Sequence, residues 1–285
     1  MVDRNLKIAV TGSSGFIGQY VLAELGKNQN DLVAVSRQKN HLSGLSKSVR
    51  IVELDINNLN ENPYEMLGCP DVLIHLAWGG LPNYKSAHHF EKELPAQFLF
   101  LESLVRSGLK NLLVTGTCFE YGMQSGALSE SMSTKPDNPY GLAKNCLRKQ
   151  LECLKKEMPF ILTWARLFYM YGDGQSENSL YSQLKTAISN DEMSFNMSGG
   201  EQLRDFMHVT DVARLLVVLA TNGRDNGIVN ICSGIPVSIR KLVEGWIEEK
   251  GVNISLNLGH YPYPDYEPME FWGDPSKIKS LLDIA

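Results

Sequence analysis

Tyr140 and Lys144, four residues apart in the stretch DNPYGLAKNCL, are the pair in this chain whose side chains could work together on a proton. Asn138 can cap a helix there and Pro139 suits its first turn, so the spacing puts phenol and ammonium on one helix face. The positive charge favours the phenolate and is expected to lower the Tyr140 pKa from about 10 toward working pH. Such a tyrosine can pass a proton to or from an alcohol oxygen while a hydride is exchanged elsewhere. A place for the hydride carrier is suggested by VTGSSGFIGQYVLAEL (residues 10–25), in which Gly12, Gly15 and Gly18 separate an apolar run from an amphipathic stretch. Three positions without side chains let a phosphate backbone approach. Backbone N–H groups at the start of a helix then hold a pyrophosphate, so the expected binding turn comprises Gly12, Ser13, Gly15, Phe16, Ile17 and Gly18.

The elements that must position these groups are legible as local patterns. Short β-branched apolar runs occur at Lys7–Thr11, Asp31–Ser36, Val49–Leu54, Asp71–Leu76, Lys110–Thr115 and Phe160–Leu167. Helix-patterned stretches lie between most of them, at Phe16–Lys27, His89–Ser107 and Tyr140–Met158. Strands alternating with helices imply right-handed crossovers and an α/β fold with a doubly wound parallel sheet of the Rossmann type, whose ligands sit at the carboxyl ends of the strands. Beyond Gly172 the rhythm loosens around one helix, Ser179–Asn190, and the segment LGHYPYPDYEPMEFWGDP has no clear period. The expected division is a dinucleotide-binding domain over 1–172, to which 205–233 returns, and a small C-terminal substrate-binding cap from 173–204 and 234–285.

Composition narrows the class of partner. The 285 residues carry a formal net charge of -5 and no Lys/Arg run, which argues against nucleic acid or an anionic membrane as partner. The five cysteines are odd in number and form no CxxC pair, so neither a metal site nor a disulfide framework is expected. With no apolar run near the roughly 20 residues of a membrane span and a polar MVDRNLK start, the expected location is cytoplasmic. The second strand ends in Ser36 and Arg37, where an NAD enzyme would carry Asp or Glu for the ribose hydroxyls. A hydroxyl and a guanidinium would instead attract a 2′-phosphate, so NADP(H) is favoured and NAD(H) is the alternative.

The Gly-x-x-Gly-x-x-Gly spacing resembles that of the short-chain dehydrogenase/reductase superfamily. Further stretches make the resemblance specific to its extended branch, the NAD-dependent epimerase/dehydratase family: ARLFYMYG (166–172 with Ala165), RDFMHVTDVARLL (204–216), VNICSG (229–234) and DPSKIKSLL (274–282). The resemblance implies that Asp55 and Ile56 bind the adenine, that Leu76 and Ala77 of HLAW line the cofactor, and that Trp78 faces the substrate in place of a small residue. Aligned on Tyr121-Gly122, Thr117 falls on the catalytic Ser/Thr, completing a Thr117-Tyr140-Lys144 set in which Lys144 also binds the nicotinamide ribose. Arg204 matches the arginine that meets the diphosphate of a nucleotide-sugar substrate. Tyr169 replaces the family's Asn at a substrate position, and Glu93 stands where a helix Asn is usual.

Departures from the family restrict the reaction. Sugar 4,6-dehydratases follow the catalytic Thr with Asp and Glu, whereas this chain has Cys118 and Phe119, which cannot eliminate water. GDP-fucose synthases put an epimerising Cys where Phe119 stands. What remains is reduction of a nucleotide-activated 4-keto-6-deoxy sugar, favoured by Ser36-Arg37, or 4-epimerisation with retained NAD. A non-catalytic dinucleotide-binding regulator and a reductase of phenolic aldehydes are the readings from other classes; the retained Thr, Tyr and Lys argue against the first. The resemblance also implies a homodimer through two helices of each subunit.

Overall fold

In the computed structural model, which describes residues 5–42, 48–59 and 61–283, the first half alternates as expected. It runs β1 (Lys7–Thr11), α1 (Phe16–Leu25), β2 (Asp31–Ser36), β3 (Val49–Glu53), α2 (Pro63–Met66), β4 (Val72–His75), α3 (Leu94–Arg106) and β5 (Asn111–Thr117). The chain continues through β6 (Gly126–Leu128), α4 (Pro139–Glu157), β7 (Ile161–Leu167), β8 (Tyr169–Tyr171), α5 (Leu180–Ser189), β9 (Ser194–Asn196) and β10 (Leu203–His208). It closes with α6 (Val209–Thr221), β11 (Gly227–Ile231), β12 (Pro236–Ser238), α7 (Ile239–Lys250), β13 (Ser255–Asn257), β14 (Phe271–Gly273) and α8 (Ser276–Asp283).

Seven strands form one parallel sheet in the order β11-β7-β5-β4-β1-β2-β3. The order reverses between β1 and β4, so the crevice for a ligand opens above their carboxyl ends. One face is covered by α1 and α6, whose Val21, Leu22, Leu25, Val212 and Leu216 pack on Ile8, Val10 and Ile74. On the other, Phe100, Leu101 and Leu104 of α3 and Leu147 and Leu151 of α4 pack on Leu73, Leu112 and Val114. Burial on both faces is why these strands read as continuous apolar runs. Among the described residues no helix is long and apolar enough to cross a membrane.

Three details differ from the sequence pattern. The helix expected over His89–Ser107 begins as a π-helical turn, His89–Glu93, before α3 proper. Pro95, which has no N–H to donate, lies just past this junction. Strand β5 runs to Thr117 rather than Thr115, which carries that hydroxyl to the sheet's carboxyl edge. The cap, with its own apolar core of Leu184, Phe195, Val243 and Trp246, does not keep the whole of 234–285. Helix α8 packs back on β11, with Ile278 buried in the α1/α6 side of the sheet core, because its one apolar stripe finds more cover there.

Behind β5 lies a fully buried carboxylate. Glu120 accepts from Thr117 N at 3.0 Å, Trp164 Nε1 at 2.8 Å and Arg166 Nε at 2.9 Å, with Arg148 Nε 3.8 Å away. Thr117 and Glu120 form a capping box on the short turn Cys118–Tyr121, and a Cβ at Gly116 would overlap both the Trp164 indole nitrogen and Glu120. Removing one charge leaves buried arginines uncompensated. Glu120→Gln is therefore expected to lower unfolding free energy by roughly 3–5 kcal/mol in urea titration; a loss below about 1 kcal/mol would show that the cluster does not anchor the strand end.

Candidate active site

The glycine turn leaves β1 at the sheet's switch point. Gly12 has φ +71°, and a Cβ there would stand 2.9 Å from Ala77 N, so only glycine lets this turn approach the end of β4. A Cβ at Gly18 would overlap the Gly12 carbonyl. Gly15, the N-cap of α1, supplies no side-chain cap, which leaves the first N–H groups of the helix, those of Phe16 and Ile17, for an anion. This cradle of close backbone and open donors fits a dinucleotide pyrophosphate. Ser13 is placed differently from the expectation for a ligand contact: its hydroxyl donates to Val10 O at 2.6 Å and accepts from Val35 N at 3.0 Å, so it staples β1 to β2.

At the end of β2, the Ser36 hydroxyl is buried and donates to Gln38 O at 3.0 Å, with Ser14 Oγ 3.1 Å away, whereas Arg37 is exposed and has no partner among the described residues. Asp55 is exposed, its carboxylate taking Asn57 N and Nδ2, and the Ile56 side chain is buried in the sheet core. Leu76 packs partly into the opposite core face.

A chain of buried polar groups fixes the floor between β1 and β4. Thr11 Oγ1 lies 2.9 Å from His75 Nδ1, His75 Nε2 lies 2.8 Å from Gln97 Oε1, and Gln97 Nε2 donates to Glu93 Oε2 at 2.9 Å. Burial drives the His75 pKa down to about 3, with the Lys144 charge adding to the effect, so its ring is neutral. The Thr11 hydroxyl then donates to Nδ1 and Nε2–H donates to Gln97. Glu93 also accepts from Gly79 N at 2.9 Å and pairs with His88 at 3.2 Å. The carboxylate found where the family has Asn thus holds the loop after β4.

Helix α4 carries Tyr140 and Lys144 and is capped by Asn138, which accepts from Gly141 N at 2.9 Å, with Pro139 in its first turn. Tyr140 is buried under an aromatic shell of Trp78, Tyr84, His89 and Phe119, with Tyr266 of the cap packed on Tyr84 and Phe119. The Lys144 ammonium donates to Thr115 O at 2.9 Å and sits 4.0 Å over the Trp78 ring. Burial lowers its pKa to about 7 against the opposing charges of Glu120 and Glu93.

The electrostatics correct one expectation. Burial pushes the Tyr140 phenol well up, and the neighbouring Tyr84 and Cys118 add to it; the Thr117 hydroxyl facing it acts the other way. Lys144 does not bring the phenol down, because its ammonium is drawn to the Thr115 carbonyl and the Trp78 face, 6.0 Å from the Tyr140 ring centroid. Trp78 contacts both members of the pair and is itself held by its Nε1–H bond to His89 Nδ1 at 3.1 Å.

Arg204 is buried where β10 meets the cap. It is 3% exposed, its Nε and Nη2 donate to Glu267 Oε2 at 3.2 and 2.8 Å, and its Nη1 donates to the carbonyls of Leu203 and Met269. The adjacent Asp205 is fully buried and clamps the loop after β11 through Ser233 and Gly234. Tyr169 lies beside Arg204, and its buried hydroxyl faces the Glu267 carboxylate; burial and that charge push the phenol pKa up. Cys118 is buried, and its thiol is pushed up by that burial and by the Glu267 charge. Sequence reasoning missed Glu120, Tyr84, His89 and Glu267; only Glu120 left a local signal, the Thr-x-x-Glu capping pattern at 117–120. Among the described residues no cluster of His, Cys, Asp and Glu could hold a metal ion.

The chain is similar over nearly its whole length to proteins of known name. The chain is 30% identical over 270 residues to dTDP-6-deoxy-L-talose 4-dehydrogenase (NAD(+)) of Aggregatibacter actinomycetemcomitans, covering 94% of this chain and 99% of that protein. It is 25% identical to GDP-6-deoxy-D-talose 4-dehydrogenase of the same organism, covering 97% and 91%. Among solved structures, MoeE5 in complex with UDP-glucose and NAD superposes with a TM-score of 0.82 at 29% identity, covering 97% of this chain and 92% of that one. Residues 8–232 match the NAD dependent epimerase/dehydratase family. With a parallel Rossmann-type sheet, a glycine cradle at its switch point and this match over most of its length, the chain belongs to that family and is an NAD(P)-dependent enzyme of the extended short-chain dehydrogenase/reductase type.

Proposed function

We propose that this protein is a reductase acting reversibly at C4 of a nucleotide-activated 4-keto-6-deoxy sugar, with Thr117, Tyr140 and Lys144 as its working groups. The observation that carries the reading is geometric: a buried phenol at the carboxyl end of β5 faces the Thr117 hydroxyl, with Lys144 one helical turn further on. A phenol so placed can give its proton to a carbonyl oxygen in reduction and take it back in the reverse reaction. The relative named as a 6-deoxy-L-talose 4-dehydrogenase, matched over nearly its whole length, supports the same bond as the one that reacts.

When bound, the reduced nicotinamide supplies the hydride, and the protein's own groups do the rest. Gly12, Gly15, Gly18 and the N–H groups of Phe16 and Ile17 would hold the pyrophosphate. Thr117 polarises the carbonyl and Tyr140 delivers the proton, turning C=O into CH–OH with one hydride and one proton added. Lys144, held by the Thr115 carbonyl beside Tyr140, would bind the nicotinamide ribose. Tyr84, Phe119 and Tyr266 exclude water from the reacting carbon. The 4-epimerase alternative is supported by a relative named as an uncharacterized UDP-glucose epimerase of Bacillus subtilis, 26% identical. Leu99 on α3 and Leu142 on α4, both exposed, suit a homodimer formed through these helices, and the cytoplasm supplies such substrates.

For the cofactor we favour NADP(H): Arg37 is exposed, with no partner among the described residues, where an NAD enzyme would have a carboxylate. On this reading Arg37→Ala raises the KM for NADPH by about tenfold or more and changes that for NADH less than about threefold. Equal effects on both cofactors, or none, would assign NAD(H) instead. Tyr140→Phe should lower kcat at least about a hundredfold while the cofactor Kd, read by calorimetry, stays within about twofold; unchanged turnover would remove Tyr140 as the acid.

A further inference from the structure

We propose that Trp78, anchored by His89, is a positioning residue for Lys144: the face of its indole keeps the buried ammonium charged and in place beside Tyr140. The inference rests on Lys144 being one of the working groups of the proposed reductase.

Lys144 is 2% exposed, and an ammonium so placed has lost nearly all its water. It has three N–H groups to donate, yet it makes a single hydrogen bond among the described residues, to Thr115 O at 2.9 Å. Among the described residues no carboxylate pairs with it directly. Glu120 is taken up by Thr117 N, Trp164 and Arg166, and Glu93 by Gly79 N, Gln97 and His88, so both act on the ammonium from a distance. The remaining contact is the Trp78 ring, 4.0 Å from Lys144 Nζ. The negative face of an indole attracts a cation, does nothing comparable for a neutral amine, and acts most strongly where water is absent. Trp78 therefore favours the charged form of Lys144 against the burial that lowers its pKa to about 7.

The ring is fixed in that place. Indole Nε1–H can only donate, so His89 Nδ1, 3.1 Å away, accepts, and Nε2–H of the same imidazole donates to Asn83 O at 2.8 Å. Both partners require one tautomer of the neutral ring, and His89 is fully buried, which lowers its pKa. His89 opens the π-helical turn and Glu93 closes it, so this turn grips the loop after β4 twice, at Trp78 and at Gly79 N. Trp78 also meets the Tyr140 ring edge-on, with centroids 6.0 Å apart, so one indole touches both the phenol and the ammonium. The titratable groups facing the ammonium are Glu120, Glu93, His75, His89 and Tyr140, and those facing the His89 ring are His88, Glu93, Lys144 and Tyr140. Substitution at position 78 changes none of them, and a shift in the Lys144 titration then reports on the indole.

The test follows the full-length protein, with an isotopic label on the lysine ε-carbons, by NMR titration; the Lys144 signal is the one missing from Lys144→Met. In Trp78→Leu the Lys144 midpoint is expected to fall by about one pH unit, because the charged form has lost the ring that favoured it. Trp78→Phe keeps a face without the anchor and His89→Leu keeps the indole without it, and both should shift the midpoint the same way by less. Lysine is charged below its midpoint, so the alkaline limb of kcat/KM moves to lower pH in step. By calorimetry the NADPH Kd of Trp78→Leu should stay within about twofold of wild type near pH 6 and weaken roughly tenfold near pH 8. An unchanged midpoint and alkaline limb in Trp78→Leu overturn the proposal even where kcat falls, since a merely structural role lowers activity at every pH alike. If Trp78→Leu does not fold, Trp78→Phe and His89→Leu decide on the same titration. A shifted midpoint in a protein that reduces none of the keto sugar nucleotides leaves the Trp78 assignment standing and overturns the reductase reading instead.

Discussion

Glu120 accepts hydrogen bonds from Thr117, Trp164 and Arg166 where no water can share them, so the end of β5 is shaped from behind by a charge the fold cannot move. An ion cluster of this kind gains little over apolar packing in net stability, but it is intolerant of losing one member. That intolerance matters for the site in front of it. Thr117 and Thr115, which face Tyr140 and Lys144, belong to the same strand end. The positions of the groups that face Tyr140 and Lys144 are thus set by a strand whose end is held by non-local bonds.

The second consequence of burial is chemical. Lys144 and Tyr140 lie in one dry pocket, and burial moves their pKa values in opposite directions, the ammonium down to about 7 and the phenol up. The aromatic shell supplies that dryness from two sides, Trp78, Tyr84 and His89 from the loop after β4 and Tyr266 from the cap. Lys85 and Asp265, 2.9 Å apart at the surface, join the same two segments. The loop after β4 and the cap thus build one apolar wall over the pocket that holds Tyr140 and Lys144.

What could be read in the sequence is what local pattern specifies. The six strands, the glycine turn and the Asn138-Pro139 start of α4 were legible because periodicity and capping are decided by residues a few positions apart. The partner of Arg204 was not: Glu267 is 63 residues away and lies in a segment without period. Nor was the dominance of burial over the Lys144 charge at Tyr140, since the spacing of two residues on a helix says nothing of the carbonyl and indole that draw the ammonium aside. Ser13 reads as a ligand contact in a glycine-rich turn, yet its hydroxyl is used between β1 and β2. Helix α8 shows the same limit, because an amphipathic stripe does not say which core it will cover.

The reaction itself is tested most directly by following the hydride. The protein would be given a nucleotide-activated 4-keto-6-deoxy hexose with the cofactor deuterated at the transferring position of the nicotinamide, and the product examined by NMR and mass spectrometry. A reductase that uses Tyr140 as its acid places deuterium at C4 of the new alcohol and oxidises one cofactor for each product formed. A sugar changed in configuration with no deuterium at C4 and no net cofactor oxidation would contradict the account and make the enzyme an epimerase.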